Sequence, residues 1–358
     1  LLARKEGREP AEGGYQGQYI VDWAEQMPDG VDPVGWGEAH ALADQRRVLA
    51  AMNVDFDEWF SEMSMVRSGA IETTLADLRE RGVVYDSEGA VWLRSTDFGD
   101  DKDRVLVKGD GEYTYLLPDI AYHRDKFARG FELLINVWGA DHHGYVPRMK
   151  AGVQALGHDP SDLEVVITQL VRLEKDGEEV KISKRSGNLI TLEDLIDEVG
   201  VDAVRLTYLL QSVDSPQTVD LGLVVEQSNE NPVFYVQMAN ARINSVARVA
   251  TGRGIAREPL DNVDLSVLVH ERELDVLREL FVLADVVELA ARERAPHKVT
   301  TWVRDLASAV HGFYHDCPIL SPDTPEPLRQ ARWHLADAAG AGLRVGLELL
   351  GVSAPEQM

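Results

Sequence analysis

The sequence is poor in cysteine and has no long apolar run. Its 358 residues include one cysteine, which excludes a disulfide-stapled scaffold and zinc sites built on paired cysteines, and which fits a reducing cytoplasm. No apolar run approaches the roughly 20 residues that cross a bilayer, and the N-terminus lacks the basic and apolar pattern of a signal peptide. We therefore expect a cytoplasmic globular protein with no membrane partner.

Cations are also scarce. The chain has 36 Lys and Arg against 61 Asp and Glu, a formal charge of −25, which argues against a general polyanion binder. Residues 228–358 account for only −5 of this charge, because they hold 13 cations against 18 acids. Within them, Asn231–Arg257 has no acid and four arginines, which are Arg242, Arg248, Arg253 and Arg257. This stretch is either an anion-facing surface or an ordinary solvated helix face.

Strand and helix patterns alternate in the middle of the chain, and helical patterns follow after Thr191. The first 90 residues favour helices, including Ala41–Met52, with a loop over 28–37. The predicted strands are Arg104–Lys108, Tyr113–Leu117, Leu133–Trp138, Val165–Leu173 and Glu179–Ile182. One helix is predicted at Asp119–Phe127, and a second follows Gly139 and continues to about Leu156. The main later helices are predicted at Asn231–Ala250, Ser266–Arg294, Val299–Tyr314 and Pro327–Leu350. The pattern predicts a doubly wound α/β domain followed by an all-α domain.

A basic segment follows the strands. Lys181–Asn188 reads KISKRSGN and places three cations within five residues before a small, glycine-bearing stretch. Lysine is a compact charge for phosphate, so the segment suits a mobile loop that brings charge to a triphosphate. A solvated basic turn, or a phosphorylation or localisation signal, fits the spacing about equally well.

A second polar segment lies where a predicted strand ends and a helix begins, at Trp138–Gly144. Gly139 lets a ligand approach the backbone, Asp141 can accept ribose hydroxyls, and a helix N-terminus favours anions. Metal ligation by Asp141, His142 and His143 is disfavoured because adjacent histidines diverge in direction. Capping of the helix is the simpler alternative.

Carboxylates with an aromatic neighbour form a third candidate. Tyr115 and Asp119 lie four residues apart across the start of a predicted helix, and Glu62 lies in an aromatic-rich stretch. Such a group suits a guanidinium or ammonium ion. Asp119 could also be a helix cap, and Glu62 a surface acid.

Taken in order, these segments resemble the arginyl-tRNA synthetases of class I. Lys181–Asn188 is similar to the KMSKR signature of that class, with Ile182 in place of Met. The other similar stretches are Phe56–Ser64, Thr96–Val107, Tyr115–His123, Trp138–Tyr145, Asn231–Arg242 and Phe313–Cys317. The resemblance implies the second part of a Rossmann-like catalytic domain with a doubly wound parallel sheet at 1–225, and an all-α anticodon-binding bundle at 226–358.

The resemblance also implies roles for the site residues. Glu62, Tyr115 and Asp119 would hold the side chain of L-arginine. The implied ATP-binding residues are Gly139, Asp141, His142, Lys181 and Lys184. The implied catalytic residues are Lys181, Ser183 and Lys184, whose lysines would stabilise the departing pyrophosphate of ATP used with Mg²⁺. The implied contacts to tRNA(Arg) are Phe234, Tyr235, Gln237, Asn240, Arg242 and Met358.

The implied reaction is activation of L-arginine by ATP and its transfer to tRNA(Arg), by a monomer that holds no metal of its own. No HIGH-type signature occurs in the chain, and His142–Gly144 comes too late to be one. We therefore expect a C-terminal portion that is inactive by itself. Two alternatives are a non-catalytic tRNA-binding fragment and a synthetase for another amino acid, such as cysteine or leucine. The anionic residues argue against the second alternative, because a thiol or apolar substrate has no use for an anionic pocket.

Overall fold

The computed structural model describes residues 1–11, 13–15, 17–175, 177–179 and 191–358. The helices within these ranges are α1 (Leu2–Lys5), α2 (Gln18–Gln26), α3 (Pro33–Ala51), α4 (Glu62–Ser68), α5 (Ala70–Glu80), α6 (Leu116–Ala128), α7 (Val146–Ala155), α8 (Leu192–Val199), α9 (Val201–Tyr208), α10 (Leu221–Val225), α11 (Pro232–Gly252), α12 (Glu271–Phe281), α13 (Leu283–Arg292), α14 (His297–Asp316) and α15 (Glu326–Leu349). The strands are β1 (Val84–Ser87), β2 (Ala90–Leu93), β3 (Arg104–Val107), β4 (Leu134–Gly139), β5 (Leu163–Thr168), β6 (Val171–Lys175), β7 (Glu178–Glu179) and β8 (Gln217–Asp220).

These elements pack into two compact units. The central unit comprises residues 56–170 and 213–216, and the terminal unit comprises the described parts of 1–55, 171–212 and 217–358. The terminal unit thus combines both ends of the chain with the segment that follows β5. The boundary expected near residue 226, between a catalytic and an anticodon-binding domain, is a division by function and not by compact unit, and it stays a prediction.

The central unit is built on two small sheets. Strands β1, β2 and β3 form an antiparallel sheet, whereas β4 and β5 run parallel and are joined through α7. Leu106, Leu117, Ile120, Met149 and Leu163 are fully buried in its core. The parallel pair with its crossover helix is the α/β arrangement that the sequence predicts. In such sheets ligands bind beyond the carboxyl ends of the strands, where the turn after β4 lies.

Strand β4 is buried on one face only. Leu134 and Asn136 are buried, and His123 of α6 hydrogen-bonds to Asn136. Ile135 and Val137 on the other face are 42% and 66% exposed. The apolar run Leu133–Trp138 would fit a strand buried on both faces, but within the described residues only one face is buried, because side chains alternate between the faces of a strand and α6 covers one of them.

The predicted strand Val165–Leu173 is wrong as a single element. It is interrupted at Gln169 and Leu170, where the Gln169 amide donates to the carbonyl of Val213 and Leu170 is 83% exposed. The first part, β5, pairs with β4, and the second part, β6, pairs with β7 and β8. An apolar run does not show where a chain passes from one sheet to another.

Other predicted boundaries moved for local reasons. The loop over 28–37 ends at Asp32, whose carboxylate accepts the Gly35 amide at 2.8 Å and begins α3 with Pro33 in its first turn. Tyr113 is the only residue of the predicted strand Tyr113–Leu117 that forms a bridge, because α6 begins at Leu116. The single helix predicted over 266–294 is divided into α12 and α13, and β8 was not predicted.

Close helix packing in the terminal unit depends on two glycines of α15. A Cβ at Gly342 would lie 2.7 Å from Leu280, and one at Gly346 would lie 2.7 Å from Trp302. Both distances are too short for a side chain. Glycine therefore lets α12 and α14 pack directly on the α15 backbone, around a core that includes Phe313.

An ion pair is buried in the same bundle. Arg332 of α15 contacts Glu273 of α12 at 2.6 Å, and their side chains are 11% and 1% exposed. The other oxygen of Glu273 accepts the His270 amide, and Arg332 also donates to the carbonyl of Pro318. Such a pair is tolerated because each charged group has its partner, and removal of one partner is costly.

We expect Arg332→Met to lower the free energy of unfolding by about 3–5 kcal/mol, because Glu273 would remain as an uncompensated buried charge. Urea denaturation followed by tryptophan fluorescence measures the loss. Arg278→Met is the control, since the pair of Arg278 with Glu271 is exposed and should contribute far less to stability than the buried pair. Equal losses in the two variants would contradict the role given to the buried pair.

Candidate active site

Asp119 is a half-buried carboxylate in the first turn of α6. The Tyr145 hydroxyl donates to its Oδ2 at 2.9 Å, and the described residues provide no hydrogen bond to Oδ1. Burial raises the pKa of Asp119, the hydrogen bond from Tyr145 opposes this shift, and the charge of Glu62 adds to it. The result is a half-buried anion whose Oδ1, together with the second lone pair of Oδ2, is available to a cationic ligand.

The other two residues expected to bind arginine lie in the same unit. Glu62 begins α4 and is exposed, and its charge acts on Asp119. Tyr115 directly precedes α6 and is 86% exposed, and its carbonyl accepts the Asp119 amide at 3.2 Å. The structure therefore brings Glu62 and Asp119 into one electrostatic environment and leaves the Tyr115 ring open to solvent.

A hydrogen-bond chain that the sequence did not reveal supports the backbone of Asp119. His123 Nδ1 lies 2.7 Å from the Asp119 carbonyl, and its Nε2 lies 2.9 Å from Asn136 Nδ2. Since the carbonyl can only accept, Nδ1 carries the proton and Nε2 accepts from Asn136. Burial lowers the pKa of His123 to about 4, so the ring is neutral at pH 7. The sequence offered one signal for this contact: Asp119 and His123 are four residues apart in a predicted helix and therefore lie on the same face.

Lys126 is a half-buried cation that contacts this hydrogen-bond chain. Its ammonium group donates to Asn136 Oδ1 at 3.4 Å and lies 4.2 Å from the centre of the Tyr122 ring. Burial lowers the pKa of Lys126, and the charge of Asp119 partly restores it. Lys126 makes no ion pair of 4.0 Å or less with Asp119 in the described part of the chain, so the carboxylate is not neutralised by direct contact.

The proposed nucleotide segment lies at the end of β4. A 3₁₀ turn over Ala140–Tyr145 follows Gly139, and a Cβ at Gly139 would lie 2.8 Å from Asp141 Oδ1. The side chains of Asp141 and His142 are 83% and 59% exposed, with Nε2 and Oδ2 3.7 Å apart. The described residues contain no group of three His, Cys, Asp or Glu side chains placed to hold a metal ion. The turn offers open backbone and polar side chains to a ligand.

The predicted catalytic loop cannot be placed. Lys181, Ser183 and Lys184 lie outside the described residues. The described chain resumes at Thr191, whose hydroxyl accepts the Asp194 amide and begins α8. The assignment of these three residues stays a prediction.

Two of the expected RNA-contacting residues are buried under the C-terminal segment. Gln237 Nε2 donates to the Ser353 carbonyl at 3.0 Å, and Asn240 Nδ2 donates to the Pro355 carbonyl at 2.9 Å. Gln237 is 8% exposed and Asn240 is fully buried. In this structure both side chains hold the end of the chain against α11, and direct RNA contact by them stays a prediction.

The remaining expected RNA contacts are more accessible. Phe234 and Met358 line a cavity of about 410 Å³ in the terminal unit, and Met358 is 55% exposed. Tyr235 is half-buried beside His311, with ring centres 4.5 Å apart, and exposed Arg242 donates to His311 Nδ1 at 2.8 Å. These four residues can still meet a ligand from solvent.

The four arginines of the acid-free stretch are all bonded to protein groups. Besides the contact of Arg242 with His311, Arg248 donates to the Glu356 carbonyl and Arg253 to the Leu320 carbonyl. Arg257 contacts Asp337 at 2.6 Å. Their guanidinium groups therefore stabilise the terminal unit through these contacts, and their positive charge stays at its surface.

Comparisons with known proteins agree with this architecture. A family model described as "tRNA synthetases class I (R), catalytic domain" matches residues 38–245, and one described as "DALR anticodon binding domain" matches residues 236–358. The arginine–tRNA ligase of Geobacillus thermodenitrificans is 49% identical over 97% of this chain and 64% of its own length. The arginine–tRNA ligase of Bacillus subtilis is 50% identical over 90% of this chain and 58% of its own length.

A solved structure from Campylobacter jejuni, described as an arginyl tRNA synthetase, matches with a TM-score of 0.89 and 31% identity, and covers all of this chain and 81% of that one. The fold and the matched catalytic model are those of the class I tRNA synthetases. Within that class, the chain belongs to the arginyl family, in which an α-helical DALR domain follows the catalytic domain. The predicted fold class and family are confirmed.

The chain spans 58–64% of the length of these two curated relatives. No helix in the described part of the chain is long and apolar enough to cross a membrane.

We expect Asp119→Asn to raise thermal stability at pH 7, because the variant removes a partly buried charge that Glu62 repels. The gain should shrink as the pH falls through the raised pKa of Asp119, since protonation of the wild-type carboxyl removes the same charge. Melting followed by circular dichroism across pH measures this.

Asp103→Asn is the control of opposite sign. Burial raises the pKa of Asp103, but hydrogen bonds from Thr96 and Tyr85 outweigh burial and lower it overall. Its carboxylate is therefore stabilised by folding, and Asp103→Asn should lower the melting temperature. Destabilisation by both variants would contradict the electrostatic description of Asp119.

Proposed function

We propose that the intact protein is an arginine–tRNA ligase that activates L-arginine with ATP and transfers it to tRNA(Arg). The observation that carries this proposal is the half-buried Asp119 carboxylate, on which the charge of Glu62 acts, and whose Oδ1 and second Oδ2 lone pair are free. Family membership and the identity to arginine–tRNA ligases support it. A soluble monomer in the cytoplasm is the setting expected from the resemblance.

The chemistry of the pocket favours a guanidinium group. Guanidinium presents planar pairs of N–H donors that match the two oxygens of a carboxylate, and it stays charged at every physiological pH. Asp119 and Glu62 supply negative charge, and the neutral His123 ring does not oppose it. Thiol or aliphatic substrates would leave the half-buried carboxylate without a cationic partner, which disfavours cysteine and leucine.

Activation requires a site for ATP and for the departing pyrophosphate. We assign the adenosine to Gly139, Asp141 and His142, where the backbone is open and both side chains are exposed. An oxygen of the arginine carboxylate attacks the α-phosphorus, so a new P–O bond forms as the bond to pyrophosphate breaks. Lys181 and Lys184, with Ser183 between them, would stabilise the charge on the leaving group, and Mg²⁺ would accompany the phosphates of ATP.

Transfer then attaches arginine to the tRNA. A terminal ribose hydroxyl attacks the activated carbonyl, and the bond to AMP breaks. We propose that Phe234, Tyr235, Arg242 and Met358 meet unpaired bases of the anticodon loop, because aromatic rings and guanidinium groups stack on bases. Gln237 and Asn240 would contribute by holding the C-terminal segment in place.

For Asp119→Asn, we expect the KM for arginine to rise about 10²-fold, because two charge-assisted hydrogen bonds are weakened. The KM for ATP should change by less than about threefold. ATP–pyrophosphate exchange by the intact protein, with tRNA present, measures both constants. Asp103→Asn serves as the control outside the pocket, and equal changes in the two KM values would remove Asp119 from the arginine site.

For Lys184→Ala, we expect a fall of about 10²- to 10³-fold in the rate of activation, because the leaving pyrophosphate loses a cation. Affinity for tRNA should stay within about twofold. Pyrophosphate exchange and filter binding separate the two effects. Lys175→Ala is the control, because it removes a lysine of β6 that is paired with Glu198 of α8. A variant that binds tRNA weakly but activates arginine normally would contradict the proposed role.

A further inference from the structure

Tyr145 holds the side chain of Asp119 at a fixed orientation. Its hydroxyl donates to Oδ2 at 2.9 Å across 26 residues of sequence. The ring is half-buried, lies edge-on to Trp138 with centres 5.7 Å apart, and has the Arg148 guanidinium 4.9 Å from its centre. The hydroxyl is therefore placed by packing of the ring on two neighbours and not by the hydrogen bond alone.

The proton on Tyr145 is firmly held. Burial, together with the negative charge of Asp119, raises the pKa of the Tyr145 hydroxyl far above its usual value. At physiological pH the group is consequently a neutral donor. It satisfies one lone pair of the carboxylate without adding positive charge that would compete with a cationic ligand.

The backbone of Asp119 is fixed independently. His123 donates to the Asp119 carbonyl, and Asn136 of β4 in turn donates to His123. Both side chains are buried, with 4% and 7% exposure. With its carbonyl and its Oδ2 both held, Asp119 has little freedom to rotate, and Oδ1 together with the second lone pair of Oδ2 faces in a set direction.

We propose that Tyr145 is a positioning residue for substrate recognition, which orients the Asp119 carboxylate so that it accepts a guanidinium through two parallel hydrogen bonds. This inference rests on the proposed arginine pocket. A carboxylate that can rotate still attracts any cation, whereas a fixed one distinguishes a planar two-donor fork from a single ammonium group. Tyr145 therefore contributes to the choice of arginine over lysine without touching the amino acid.

The test is Tyr145→Phe, which keeps the ring and removes the hydroxyl. Tyr85→Phe is a matched control, because the Tyr85 hydroxyl donates to Asp103 at 3.0 Å in the same unit but away from the pocket. Calorimetry with L-arginine and L-lysine on the intact protein measures affinity. We expect arginine to bind about tenfold more weakly to Tyr145→Phe, with lysine little changed, the KM for ATP unchanged, and Tyr85→Phe within twofold of wild type.

A pH profile separates positioning from general damage. The charged or titratable groups that act on Asp119 are Tyr145, Glu62, Lys126 and His142, and His123 contacts its carbonyl. The Tyr145 hydrogen bond lowers the pKa of Asp119, so its removal should raise that pKa. As the pH is lowered and Asp119 becomes protonated, arginine binding should therefore be lost at a higher pH in Tyr145→Phe than in wild type or Tyr85→Phe.

The titration of Asp119 is also followed without ligand, by carboxyl ¹³C NMR, with the Asp119→Asn spectrum for assignment. Unchanged arginine affinity in Tyr145→Phe, equal loss in Tyr85→Phe, or an unshifted Asp119 titration would each overturn the positioning role. Absence of arginine binding to wild type would instead overturn the proposed function. In that case the ligand-free titration still decides whether Tyr145 sets the state of Asp119.

Discussion

Holding an anionic carboxylate partly out of water is the constraint on which the candidate site depends. Burial alone would favour protonation of Asp119, and the nearby charge of Glu62 acts in the same direction. The protein offsets this with a neutral donor, Tyr145, and the half-buried cation Lys126 is hydrogen-bonded to Asn136. Part of the solvation missing from the free protein can then be supplied by a cationic ligand. The burial that destabilises the charged form of Asp119 in the free protein thus also favours binding of a cation.

The terminal unit meets a similar constraint in the opposite way. Glu273 and Arg332 neutralise one another inside the bundle, and their remaining hydrogen-bonding groups are satisfied locally. A closed pair of this kind specifies which helices pack together but has nothing left for a ligand. The charge of Glu273 is neutralised by Arg332 and stabilises the fold, whereas Asp119 has no cation in direct contact within the described residues and can bind a ligand.

Much of the architecture could be predicted because it depends on local patterns. Periodicity located α11, α14 and α15, and the apolar run located β4. The passage from β5 to β6 and the strand β8 were missed, because sheet membership depends on distant partners such as Val213. The candidate site shows the same division: Glu62, Tyr115 and Asp119 were predicted from chemistry and resemblance. The contact of Tyr145 with Asp119 joins residues 26 positions apart in sequence and was not predicted. Likewise, Gln237 and Asn240 look like exposed hydrogen-bonding groups until the C-terminal segment is seen to cover them.

That cover has a practical consequence. Residues 353–356 are fastened to α11 by Gln237, Asn240 and Arg248, and Met358 lies at the wall of the cavity that Phe234 also lines. A group attached to the Met358 side chain would lie at this wall, and its bulk and charge would be delivered to the surface proposed to meet the anticodon. A fluorescent label attached at Met358 would therefore report on the surface proposed to meet the anticodon.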